Sequence, residues 1–439
     1  WEATYTDGDV NIVRELIPGT FEYDNETLSQ ELQLTSPGGE TVDWLAGVYY
    51  YEEEYDIATV RDAGEAFCAP TIAAIAGPQF GAVCLAGPQE GATTNTFSQE
   101  LESLAVFGQI TWNVSDAWNT TLGLRWIDDE KDGDYVAVVN NFAAGLFAAN
   151  ENAVGMERND SKTTWFGNVS WNVSNDLMLF ATASTGYKSG GFNSQPGGNV
   201  PLGDRRIFSP EETTNYELGM KSRLLNGTMT ANATLYRMDI DDFQDRAFDG
   251  LSFVVLNAGE VRQQGLEVDI NWVPIEPLRI VAGMGYLDSE YLSFRTAPGL
   301  PGGPPQDLTG ERRNFSPEWQ TSVTADWTQS LGNGLQWFVG ASWSWLDEQN
   351  VGTSSNNDPQ AMQDAYSIVN ARLGLRSAAG DWEIALFGNN LTEEDFCQTI
   401  FDQAFGAPIG AVDPVNNTSV MRCNLGAPAT WALRGSYRF

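Results

Sequence analysis

The chain closes on TWALRGSYRF, residues 430–439. Trp431, Leu433, Tyr437 and Phe439 fall on one side of a two-residue alternation, and Thr430, Arg434, Ser436 and Arg438 fall on the other. Successive side chains of a strand point to opposite faces, so this reads as an amphipathic strand. Chain ends fray unless something ties them down. A last strand with one apolar face, one charged face and a terminal aromatic ring is expected to be fully paired, and the rest of the sequence indicates with what.

The same alternation recurs along the chain. AVFGQITWNV places Val106, Ile110, Trp112 and Val114 against Phe107, Gln109, Thr111 and Asn113. WFGNVSWNV, GLEVDINW and VNARLGLR repeat the pattern at residues 165–173, 265–272 and 369–376. Period two marks half-exposed strands. Tight connections are expected at 36–40, 115–118, 174–176, 225–227, 274–277, 332–334 and 378–380. Long ones are expected at 57–94, 136–160, 193–208, 293–315, 347–362 and 397–427, with one short exception near 246–251. Short and long connections therefore alternate.

A soluble sandwich has no reason to sort its loops by end. A transmembrane β-barrel does, with short periplasmic turns, long extracellular loops, apolar residues toward lipid and polar residues toward a wet lumen. Only helices and closed barrels satisfy every backbone hydrogen bond inside a bilayer. The fold class expected is all-β, a transmembrane antiparallel β-barrel of roughly fifteen or sixteen visible strands, closed by the final one. Trp112, Trp118, Trp171, Trp272, Trp327, Trp337 and Trp382 all lie near the tight turns, where a ring of indoles suits a membrane interface.

Composition narrows the function. The 439 residues carry 23 Lys and Arg against 59 Asp and Glu, a formal net charge of −36, and no histidine. So acidic a chain is not built to hold nucleic acid. Without histidine it offers no Ser-His-Asp triad and no His-ligated zinc or haem. No cofactor or metal is expected. No run of about 18 apolar residues is present to form a membrane helix. The chain opens at Trp1 without a Met and is read as a mature or truncated piece. Cys68 with Cys84 and Cys397 with Cys423 form two local pairs in Gly/Ala/Pro-rich stretches. They are expected to be loop-closing disulfides in an oxidising compartment.

Several segments resemble, in order, the TonB-dependent outer-membrane receptors: TGYKSGGFN (185–193), NYELGMKSRLLNGTMTANATLYRMDIDDFQ (215–244), NAGEVRQQGLEVD (257–269) and FGNNLTEEDF (387–396). The likeness runs from about Ser29 to Phe439. It implies a barrel of about twenty-two strands around an N-terminal plug. It also implies import of a scarce ligand, by default a ferric siderophore, driven by the TonB–ExbB–ExbD complex through that plug. The implied location is the Gram-negative outer membrane, among lipid and lipopolysaccharide. The terminal Phe439 resembles the signal read by the barrel-assembly machinery. Residues 1–439 are read as the C-terminal part of such a barrel, with no plug and no TonB box.

Candidate ligand contacts are Arg205, Arg206, Arg312 and Arg313, local positive spots suited to an anionic ligand, with pairing to nearby carboxylates or to lipopolysaccharide phosphates as the alternative. Tyr187, Phe192 and Asn193 of YKSGGFN are further candidates near the outer mouth, although glycines there more often mark a bulge or bend. Asp128, Glu130, Asp132 and Gly133 have the early spacing of a calcium loop, but Val139 stands where the bidentate Glu belongs. The N-x-S/T triplets at Asn113, Asn168, Asn226 and Asn390 read as turn and lumen asparagines. A passive porin of about sixteen strands is the alternative to a receptor. A barrel-anchored hydrolase would need paired carboxylates at the mouth.

Overall fold

Sixteen antiparallel strands form one continuous sheet, each bonded to its neighbours in chain order. The computed structural model describes residues 2–6, 19–64, 67–146, 148–198, 200–248, 253–300, 303–402 and 421–438. The strands are β1 (Glu2–Thr6), β2 (Gly19–Thr35), β3 (Val42–Arg61), β4 (Thr93–Asn113), β5 (Trp118–Val139), β6 (Glu151–Ser174), β7 (Leu177–Lys188) and β8 (Glu211–Leu224). They continue as β9 (Met229–Asp241), β10 (Glu260–Ile275), β11 (Leu278–Ser293), β12 (Trp319–Ser330), β13 (Leu335–Leu346), β14 (Tyr366–Ser377), β15 (Trp382–Asn389) and β16 (Thr430–Tyr437). No helix among the described residues is long and apolar enough to cross a membrane.

From β2 onward, tight turns and long connections alternate without exception. Around the expected short link near 246–251, Gln244–Phe248 pairs with Phe253–Asn257 as a small hairpin inside a longer connection. The second arm of that hairpin ends before Gly259, whose φ of 77° suits a residue without a Cβ, and β10 begins after it. The connection expected at 136–160 is mostly strand, because β5 and β6 run on to Val139 and back from Glu151. Asn226 and Asn390 occupy left-handed turn positions, with φ of 56° and 49°.

Register places the apolar residues of each strand on the outer face, where nothing packs on them. Trp112 is 53 % exposed and Leu122 63 %. In a soluble sandwich these faces would meet. The outward indoles of β5, Trp118 and Trp126, are eight residues apart, about 26 Å along a strand. Allowing for tilt, that matches an apolar band about 25 Å tall. Trp118 stacks on Trp171 of β6 with centroids 5.2 Å apart. Above Trp126 the outward positions become Asp128, Glu130 and Asp132, opposite Leu104, Glu102 and Glu100 of β4. The calcium-loop spacing therefore falls in regular strand and not in a loop.

The expectation that the last strand closes the barrel is not met. Strand β16 bonds to β15 on one edge, and no strand pairs its other edge among the described residues. Strand β1 likewise pairs only β2. Closure needs the two edge strands within hydrogen-bonding distance, and among the described residues β1 and β16 do not pair. Phe439 lies outside the described residues.

Inside the wall, three lumen positions repeat one device. A phenylalanine lies over the glycine directly opposite it: Phe107 over Gly47, Phe180 over Gly219 and Phe338 over Gly374. A Cβ on any of these glycines would collide with the ring. A cation stands by each ring: Arg125, Lys221, and Arg372 with Arg376.

Candidate functional site

The long connections gather at one end of the wall, and their packing is fixed from the strands upward. Strands β3 to β6 project their inward side chains above the membrane band. There Ile57, Phe97, Tyr135 and Met156 form a buried cluster that takes in Phe192 from the connection between β7 and β8. Gly133 lets the Phe192 ring close against the wall, since a Cβ there would stand 2.8 Å from it. Gly190 similarly makes room for Arg158. Gly190 and Gly191 of YKSGGFN thus serve the close approach of Arg158 and Phe208.

Arg206 is not available to a ligand. It is 1 % exposed, with Nε donating to Glu151 Oε1 at 2.9 Å and Nη2 to Oε2 at 2.6 Å. Nη1 donates to the carbonyls of Asn193 and Gln195, and the guanidinium lies 3.4 Å from the centroid of the Tyr135 ring. Burial would raise the Glu151 carboxyl, but the hydrogen bonds and charge of Arg206 outweigh it and hold that carboxyl below its ordinary range.

Asn193 is buried too. Its amide donates to the carbonyls of Arg205 and Val255, each at 2.9 Å, and its Oδ1 accepts from Val255 N–H at 2.7 Å. It therefore stitches the β7–β8 connection to the 244–257 hairpin. Tyr187 has a buried hydroxyl with no hydrogen bond among the described residues. Burial, then Asp160 and Asp129, push its phenol well above the ordinary value.

Arg312 pairs with Glu318 at 3.0 Å, as its structural alternative supposed. Arg313 stacks 4.2 Å from the Phe243 centroid beside Tyr291, whose hydroxyl donates to Asp245 at 2.7 Å. Arg205 is exposed, and no carboxylate pairs with it among the described residues. Of the seven candidates, Arg206, Phe192 and Asn193 build the loop core, Arg312 is ion-paired, Arg313 stacks on Phe243, the Tyr187 hydroxyl is buried, and Arg205 stays open to solvent.

Sequence reasoning passed over Lys131, Glu151 and Arg246. Lys131 Nζ donates to Ser189 Oγ at 2.7 Å and to the Gly190 carbonyl at 2.6 Å, clasping the same loop. Arg246 is exposed, stacks 4.1 Å from the Phe253 centroid and has no carboxylate partner among the described residues. The available signal was parity: once β5 is taken as strand to Val139, Lys131 and Tyr135 share the inward face with Asp129.

Both disulfides are present. Cys68–Cys84 pins α1 (Pro78–Ala86) against Phe67 and Ile72, and Cys397–Cys423 joins the two arms of the hairpin between β15 and β16. Both lie in connections at the long-loop end.

A wall with a bare apolar band outside, a polar and aromatic lumen, and elaborate loops at one end defines a membrane-spanning β-barrel. The chain belongs to the TonB dependent receptor-like, beta-barrel family, whose profile matches residues 2–391. Members of that family are integral outer-membrane barrels of Gram-negative bacteria and are transport receptors, not enzymes.

Among relatives, the ferric-pyoverdine M114 receptor PbuA of Pseudomonas sp. (strain M114) is 26% identical over 263 residues, 58% of this chain and 29% of that protein. The ferrichrome outer membrane transporter/phage receptor of Escherichia coli (strain K12) is 25% identical over 277 residues, 61% of this chain and 33% of that protein. Among solved structures, the ferric yersiniabactin uptake receptor FyuA from Yersinia pestis superposes with a TM-score of 0.70 at 16% identity, covering 95% of this chain and 54% of that one. The chain thus spans a third or less of these two relatives' length, and little over half of that structure.

Proposed function

We propose that this chain forms the wall of an outer-membrane active-transport receptor that takes a scarce small molecule at its extracellular face for TonB-driven import. One observation carries the reading: every long connection emerges at one end of a membrane-spanning wall, and these loops interlock through Arg206, Asn193 and Gln244 into a built mouth. Mobile loops around a passive pore need no such stitching. The relatives named for ferric-pyoverdine and ferrichrome, and the structure named for ferric yersiniabactin, favour a ferric siderophore.

In this reading the lumen holds a plug that TonB–ExbB–ExbD displaces, lipid and lipopolysaccharide surround the apolar band, and the barrel-assembly machinery inserts the wall. The exposed cations at the mouth, Arg205 and Arg246, give an anionic ligand its first contacts in an otherwise acidic chain. Uptake of a labelled ferric siderophore by cells carrying the complete gene should vanish when TonB is deleted. Arg205→Gln with Arg246→Gln should weaken binding about tenfold, the scale of one charge-assisted contact. Uptake that continues without TonB would overturn the proposal. A sixteen-stranded porin would instead require β1 and β16 to pair, and among the described residues they do not.

A further inference from the structure

Inward side chains form three rows across the upper ends of β3, β4 and β5. Ile57, Phe97 and Tyr135 stand in one row, Thr59, Asn95 and Ala137 in the next, and Arg61, Thr93 and Val139 above them. Residues directly opposite on neighbouring strands share a face, about 5 Å apart. The lowest row belongs to the buried cluster that receives Phe192. Beyond the top row Ala63 and Ala92, with Val139 against them, belong to the disulfide-pinned cluster of Phe67 and Ile72. A polar layer is therefore held between two apolar ones, and the small side chain of Ala137 leaves room within it. Tyr135 lies nine residues beyond Trp126, about 30 Å further along β5, so the layer is above the membrane band.

Four groups at this level have protons to give. Thr59, Asn95 and Tyr135 are 1 %, 4 % and 0 % exposed. Thr59 Oγ1, Asn95 Nδ2 and Tyr135 Oη have no hydrogen-bond partner among the described residues. Arg206 lies against the Tyr135 ring, but a guanidinium only donates, so the phenol proton still lacks an acceptor. Arg61, 5.8 Å from the Phe21 centroid, makes neither an ion pair nor a hydrogen bond among the described residues. Burial lowers its guanidinium from the ordinary value and the Tyr135 phenol opposes that shift, so the two groups stand within electrostatic reach. The nearby carboxylates are engaged elsewhere: Asp62 accepts from Gly91 N–H at 2.6 Å, and Glu151 is held by Arg206. An unpaired buried donor costs stability, and an unpaired buried cation costs more. Water would satisfy the hydroxyls but not the charge of Arg61.

We infer that Thr59, Arg61, Asn95 and Tyr135 bind a small monovalent inorganic anion, a halide such as chloride, as a fixed part of the loop core. A halide accepts hydrogen bonds from several directions at once and brings no proton of its own to place. It seats the Cys68–Cys84 lobe on the ends of β3 to β5, because its donors lie between that lobe's cluster and the one below. The chain's own residues bury these groups, so the ion is separate from any transported ligand and needs neither plug nor TonB.

The test is hydrogen exchange of the folded full chain in detergent, in sodium chloride against sodium gluconate at equal ionic strength, so that screening is constant. An anion that binds only the folded state slows exchange in proportion to its concentration. Residues 57–61, 93–97 and 135–139 should exchange roughly tenfold more slowly in saturating chloride, and bromide should match it. Residues 347–365 should not distinguish the salts. Tyr135→Phe keeps the ring and should weaken chloride about tenfold. Arg61→Gln should abolish the salt difference, and Arg61→Lys should recover part of it. Asn95→Asp, of nearly the same shape, supplies a carboxylate in place of the ion. It should be as protected in gluconate as the parent is in chloride, a result that loss of folding does not imitate. Equal protection of the parent in the two salts would overturn the inference and leave water as the partner. So would an undiminished chloride effect in folded Tyr135→Phe or Arg61→Gln, or an Asn95→Asp chain that still needs chloride.

Discussion

The two halves of the wall solve the same problem differently. Strands β2 to β6 run 17, 20, 21, 22 and 24 residues, whereas β12 to β14 run 12 each and β15 and β16 run 8 each. A tilted strand needs only about 9–11 residues to cross a bilayer. Strands β2 to β6 therefore stand well clear of the membrane on its outer side, whereas β12 to β14 barely exceed it and β15 and β16 fall just short of that length. Where strands are tall, their own inward faces supply a core, and the loops are held by the Ile57–Phe97–Tyr135 cluster, the Glu151–Arg206 pair and the Cys68–Cys84 bond.

Where strands are short there is little wall to pack on, and amide side chains sew loop to loop. Asn314 donates to the carbonyls of Gly352 and Ser354, Asn350 to that of Asp358, and Asn390 to those of Glu394 and Ala427. A tall sheet can exclude water from a side-chain core. Short strands leave loop backbone whose polar groups must each find a partner.

Replacing Arg206 should separate the halves most. Arg206→Ala strands the Glu151 carboxylate inside the loop core, at a cost of about 3–5 kcal/mol. Protease nicking between residues 189 and 210 should rise, while the 347–365 connection keeps its resistance. The pair also gives the first-half loops a pH dependence. Because the folded Glu151 carboxyl is depressed, its stabilisation is fully present above the ordinary carboxyl value of 4.5 and fades as pH falls through the lower folded value. Hydrogen exchange at decreasing pH, corrected for intrinsic rates, should show residues 189–210 loosening before 347–365.

Breaking the first disulfide comes next. Cys68→Ser with Cys84→Ser opens a link across a sequence separation of 16, worth about 3 kcal/mol. Exchange should accelerate across α1 and leave β12 to β16 unchanged.

In the second half, Asn314→Ala leaves the Gly352 and Ser354 carbonyls without that donor and should cost about 1–3 kcal/mol. Faster exchange in 347–365 would show it. If Asn314→Ala loosens the first-half loops equally, the two halves are not held independently.

The smallest effect concerns the outer face. Glu102 stands directly opposite both Glu52 and Glu130, and like charges in register repel. Glu102→Gln should raise stability by about 0.2–1 kcal/mol in detergent, read from the urea midpoint.

Alternation in TWALRGSYRF, WFGNVSWNV and their repeats was enough to define strands, and the sorting of turn lengths was enough to define a barrel with its loops at one end. Both are local properties, because side-chain parity and turn chemistry depend on residues adjacent in sequence. Cysteine spacing gave the disulfide partners for the same reason. The roles of Arg206 and Lys131 were not legible. Arg206 meets its carboxylate 55 positions away in sequence, and Lys131 clasps a loop 58 positions on. Which arginine is spent and which is free follows from how the connections pack.

The sequence alone determined that the chain alternates between lipid and lumen, and that its loops gather on one side. Tertiary structure alone decided how far each strand rises, and that Arg206 is buried against Glu151 while Arg205 stays exposed. Parity is fixed by backbone geometry residue by residue, whereas strand length and register depend on what the neighbouring strand offers.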